Sequence, residues 1–110
     1  MAFVIAKWDL PGTPEAREKY VAKAAEWTKI MPNFPGFVAT RFLRNPYNTT
    51  PQVCALQEFE SLERAQAWML SQENADLSAD MRAHGCSNMT MELWDISPLT
   101  PELLRANSGD

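Results

Sequence analysis

Histidine is nearly missing from this 110-residue chain: His84 stands alone. A metal centre built on several imidazoles is thereby excluded, and no metal is expected. Any His-based triad would have to use His84. Cysteine is scarce too. Cys54 and Cys86 lie far apart and match no metal-ligand spacing, which fits small buried residues in a reduced, cytoplasmic setting. Basic runs are absent and the net charge is −4, so nucleic acid is not an expected partner. Long apolar runs are also lacking. The first, residues 1–6, is short and has no basic front, so it is not read as a leader. No stretch reaches the length of a membrane span, so no membrane partner is expected.

What remains is the composition of a single folded domain: 45% hydrophobic and 22% charged residues. Residues 3–10 read as a strand that is apolar on both phases, Phe3 and Ile5 on one, Val4, Ala6 and Trp8 on the other. Thr13-Pro14-Glu15 is a helix start, with a hydroxyl cap, proline in the first turn and an acid behind it. Ala16, Tyr20, Ala24, Trp27 and Met31 then recur at helical spacing until Pro32 stops the ladder. Residues 37–44 and 52–59 read as a pair of strands joined by a polar turn with two prolines. Ser61 caps a second helix whose stripe runs through Leu62, Ala65 and Met69 and resumes at Leu77 and Met81. Ser71 to Asn74 should loosen or bend it, because Ser and Asn compete for backbone partners. Gly85 closes it, and residues 88–96 form the last strand.

The order is βαββαβ. It predicts an α+β, ferredoxin-like domain over residues 1–97: an antiparallel four-stranded sheet with two helices on one face. Residues 98–110 are a tail, with a short helical turn expected at 102–105. Helices on one face leave the other bare, while both phases of the strands are apolar. A second copy of the chain is the expected cover, giving a homodimer whose sheets pack into an α/β barrel. The predicted dimer face comprises Val4, Ala6 and Trp8, Leu56 and Glu58, and Thr90, Glu92 and Trp94. The opposite phase then faces the helices and shares a pocket with Trp68.

Pro35-Gly36-Phe37 entering the second strand, Phe59-Glu60-Ser61 leaving the third, and Ala67-Trp68-Met69-Leu70-Ser71 on the second helix resemble the dimeric α/β barrel superfamily, nearest its antibiotic biosynthesis monooxygenase domains. The resemblance covers residues 3–96. It implies a homodimer and a small hydrophobic or aromatic ligand. Haem-degrading members carry a helix Trp, which Trp68 matches, with an Asn and a His where this chain has Ile5 and Ser78. Quinone-forming members flank the Trp with an Asn and a Tyr, replaced here by Arg64 and Asn74. In each branch only the Trp is kept, so haem ligation in the family's manner is not expected, no cofactor is expected, and the resemblance carries over the fold and not a specific reaction.

Each candidate site residue has a functional and a plain reading. Trp68 would wall a pocket by stacking on a flat ligand, or bridge helix and sheet as a core residue. His84 would act as acid or base, or cap the helix end. Arg64, one turn before Trp68, would stabilise a substrate anion, or remain solvated. Lys7, Arg41 and Gln57 would supply polar groups to a phenol or enolate, or serve as strand-end residues. Glu58 and Glu92 are expected at the dimer rim. The expected activity is a cofactor-free monooxygenation of a flat phenolic or quinol substrate. The alternatives are a non-oxidative cyclase or isomerase using His84, and a non-catalytic binding module.

Overall fold

The computed structural model describes residues 1–107. Strand β1 (Ala2–Asp9) leads to helix α1 (Pro14–Trp27), a 3₁₀ turn (Met31–Asn33) and the hairpin of β2 (Phe37–Arg44) and β3 (Val53–Phe59). Two helices, α2 (Leu62–Met69) and α3 (Gln72–Ala83), precede β4 (Ser87–Asp95). The sheet is antiparallel with strand order β2-β3-β1-β4, the ferredoxin-like arrangement. No helix among the described residues is long and apolar enough to cross a membrane.

The expected second helix is two helices, and Ser71 is the reason. Its Oγ donates to the Trp68 carbonyl at 2.7 Å, closing α2. The same oxygen accepts from the Asn74 N–H at 3.1 Å, capping α3. The other starts follow their sequence signals, with Thr13 accepting from Ala16 N–H and Ser61 from Arg64 N–H. Gly36 and Gly85 take positive φ, 87° and 99°, as the entry to β2 and the exit from α3 require. The expected helical turn at residues 102–105 is absent; Leu99, Leu103 and Leu104 are exposed there, with no packing to support it. Ser108, Gly109 and Asp110, the end of the expected tail, lie outside the described residues.

One face assignment is corrected. Ala2, Val4, Ala6 and Trp8 are buried under the helices, not on the open face. Val4 pairs with Gln57 and with Leu93, so it points the way they do. The open face instead carries Phe3, Ile5 and Lys7 beside Leu56, Glu58, Thr90, Glu92 and Trp94. Both phases of β1 are apolar, so its pattern alone does not choose a face; registry with β3 and β4 does.

The core beneath the helices falls into two clusters. One gathers Ala2, Val4, Met31, Phe59, Ala65 and Trp68. The other gathers Ala6, Trp8, Trp27, Ala55, Met81 and Cys86. On β3 the division falls at Gln57, between Ala55 of one cluster and Phe59 of the other.

Candidate functional site

A cavity of about 260 Å³ lies between the sheet and helices α1 and α3. Ala6, Trp8, Thr40, Phe42, Gln57, Met89 and Met91 form its floor, and Tyr20, Ala24, Trp27, Asn74, Leu77 and Met81 its roof. The wall is therefore mainly aromatic and thioether, which suits a flat, polarisable ligand. Thr28, Phe42 and Arg82 belong to the wall and are exposed, so the space communicates with solvent.

The local sequence explains the wall. The α1 stripe brings Tyr20, Ala24 and Trp27 to the sheet side. Trp8 Nε1 donates to the Tyr20 hydroxyl at 3.2 Å, tying β1 to α1. The Tyr20 O–H proton is left free for another acceptor. Burial raises the Tyr20 pKa above its usual 10, so the phenol keeps that proton. Trp27 Nε1 donates to Asp80 Oδ2 at 2.7 Å, and its ring meets Tyr20 at 5.6 Å between centroids. Both indoles are thus fixed in orientation.

Three polar oxygens in the wall are buried without a hydrogen-bond partner: Thr40 Oγ1, Gln57 Oε1 and Asn74 Oδ1. Such groups are uncommon in folded proteins because each costs free energy when left unpaired. Sequence reasoning singles out Gln57 and misses Thr40 and Asn74. Thr40 is hidden in a strand of mixed pattern, and Asn74 reads in the sequence as a helix breaker.

The candidate residues separate. Lys7 and Gln57 line the cavity. The Lys7 ammonium, however, is 3.1 Å from Glu92 Oε1, a pair on the open face of the sheet. Trp68 is wholly buried in the other cluster, with Phe34 edge-on at 5.2 Å and Phe59 stacked at 6.5 Å, and it is not in the cavity wall. Its Nε1 is also unpartnered. Arg64 is exposed and its aliphatic stem covers Gly36. Arg41 is exposed and pairs in register with Leu56, which puts it on the open face. His84 is the C-cap of α3, with Nδ1 2.8 Å from the Asp80 carbonyl. It stands edge-on to Trp27 at 5.5 Å, behind the cavity wall and not in it.

Solved structures share this architecture across nearly the whole chain. An antibiotic biosynthesis monooxygenase superposes with a TM-score of 0.67 at 18% identity, covering 89% of this chain and all (100%) of that one. The fold is that of the antibiotic biosynthesis monooxygenase domains. SnoaB, a cofactor-independent oxygenase from Streptomyces nogalater, gives 0.62 at 17% identity, over 92% of this chain and 97% of that one. A point mutant of MhuD, with two manganese protoporphyrin IX molecules bound per active site, gives 0.65 at 18% identity, over 98% and 100% of the two chains. No family profile and no curated protein sequence matches the chain. At these identities the likeness to monooxygenase domains establishes the fold, and the chemistry has to be argued from the cavity.

Proposed function

We propose that the cavity under α1 and α3 binds a small flat phenolic or quinol molecule and promotes its oxygenation without a cofactor. The observation that carries this reading is the wall itself: Trp8, Trp27, Phe42 and four methionines, Met31, Met81, Met89 and Met91, around about 260 Å³. The volume lies below the ~300–1,000 Å³ usual for drug-sized ligands, which favours a compact ring system. Tyr20 supplies a neutral O–H donor for an oxygen of the ligand on which charge develops. The chemistry expected is that of an activated methylene: it loses a proton, the carbanion passes electrons to O2, and CH2 + O2 becomes C=O + H2O. The cofactor-independent oxygenase of this fold lends the reading support.

Porphyrin does not fit as well. Ser78 lines the cavity where the haem-degrading pattern has its histidine, His84 is outside the wall, and the volume is small for a tetrapyrrole. A second reading, ligand binding without turnover, is favoured by one feature: no carboxylate or imidazole stands among the described lining residues. A proton leaving carbon would therefore pass to water at the open side.

Oxygen uptake with an anthrone-type substrate decides between them. Under the oxygenase reading, uptake is protein-dependent and Trp27→Ala reduces it at least tenfold. Trp68→Phe, which changes the other cluster, leaves it within about threefold. Binding without uptake would favour the binding module, and loss of uptake in Trp68→Phe at unchanged stability would move the site to that cluster.

The homodimer belongs to the same proposal. The open face presents Phe3, Ile5, Leu56 and Trp94 with no cover in one chain, and Trp94 is 54% exposed. A second sheet packed there would bury this apolar surface and reproduce the α/β barrel.

A further inference from the structure

The two edge strands of the sheet carry opposite charge. β2 holds Arg41 and Arg44 and no acid, while β4 holds Glu92 and Asp95 and no base. On the open face one cation and one anion are level with each other. Arg41 pairs in register with Leu56, Leu56 with Ile5, and Ile5 with Glu92. A single row therefore crosses the sheet: a cation at one edge, two apolar residues, an anion at the other. Contact as well as register fixes the face, because Lys7, two residues along β1 from Ile5, reaches Glu92 Oε1 at 3.1 Å. Arg41 and Glu92 stand three ladder spacings apart, about 14 Å, too far to pair within one chain. Arg41 has no ion-pair partner among the described residues.

Two copies that close a barrel bring edge strands together. A two-fold axis running along the strands sets β2 of each copy beside β4 of the other. An axis across the strands sets β2 beside β2 and β4 beside β4. The first arrangement brings the cation of each copy to the anion of the other at the same level of the sheet, with Leu56 over the partner's Ile5. The second gathers the arginines of both copies at one seam and the acids at the other. Like-charge contact is costly, and symmetry counts it twice. We infer that a second copy docks with the two-fold along the strands, Arg41 of each chain against the partner's Glu92. This rests on the homodimer proposed above and adds to it a direction and an ion pair.

The test is a mixing experiment on the full chain, read by light scattering across a dilution series. Arg41→Glu alone sets acid on acid at both contacts, and Glu92→Lys alone sets base on base. Each is expected to raise the dimer dissociation constant at least about tenfold over wild type. An equimolar mixture of the two can form dimers with one native and one reversed contact. Those mixed dimers should return to within about threefold of the wild-type constant. In ~1 M salt, where charges are screened beyond about 3 Å, Arg41→Glu alone should regain most of its lost affinity. This arm uses one exposed position and does not depend on Glu92→Lys, which puts a second ammonium beside Lys7. Wild-type affinity in either variant alone overturns the pairing and leaves the homodimer standing. So does a mixture of folded variants as weak as its parts, or an Arg41→Glu dimer that salt does not restore. A wild type that is monomeric at micromolar concentration overturns both.

Discussion

Asp9 shows how one side chain ties three segments. Its carboxylate accepts from Asn88 Nδ2 at 2.7 Å, Thr50 Oγ1 at 2.6 Å and the Gln52 N–H at 3.0 Å. The end of β1 is thus joined to the β2–β3 turn and to the start of β4. The hydrogen bonds from Asn88 and then Thr50, with a lesser one from the Gln52 N–H, hold its pKa below the ordinary 3.8 against the opposing effect of desolvation. A depressed folded pKa means that this stabilisation is fully present above pH 3.8 and is lost as pH falls through the lower folded value. Urea midpoints measured from neutral pH downward should therefore show wild type above Asp9→Asn at the start of the range. The gap should close below about pH 3.8; a gap constant across the range would refute the assignment. Trp68 makes the opposite point at the same scale. Its place on α2 is plain from spacing, but spacing does not say whether a buried indole meets a cavity or a core. Phe34 and Phe59 occupy the space around it, so it is packed.

Among the elements, the break between α2 and α3 matters most for the site. A continuous helix would carry residues 72–83 along the axis of α2. The Ser71 oxygen ends one ladder and begins the next, so α3 takes its own direction and brings Asn74, Leu77 and Met81 over the sheet. Ser71→Ala should cost about 1–2 kcal/mol in urea unfolding, the scale of a lost cap. It should also weaken binding of a phenolic ligand, because Asn74 lies in the first turn that Ser71 organises. Ser71→Asp keeps the acceptor and should recover most of the stability. If Ser71→Ala matches wild type in both readouts, the hydroxyl is not what separates the helices.

For the whole molecule, the proposed homodimer rests on the open face of the sheet. Leu56 lies between Ile5 on β1 and Arg41 on β2, near the middle of that face. Leu56→Lys would place a charge where the proposed second sheet packs. Light scattering at micromolar concentration should give twice the chain mass for wild type and a single chain mass for Leu56→Lys. A wild type that remains monomeric at that concentration removes the dimer.

The order of elements was legible because helix caps, proline stops and alternating patterns are local signals. Thr13, Ser61 and Gly36 act where the chain places them, and βαββαβ with short connections leaves few ways to build a sheet. The inner face of β1 was not legible, since Phe3 and Ile5 are as apolar as Val4 and Ala6; pairing with Gln57 and Leu93 chose it. Nor was the cavity, whose wall joins Trp8, Thr40, Gln57 and Asn74 from four separate elements. Local sequence encodes what a segment does alone, through backbone preference and periodicity. Which side chains face a common space, and which polar atoms are left without partners there, depends on registry and packing between segments distant in the chain.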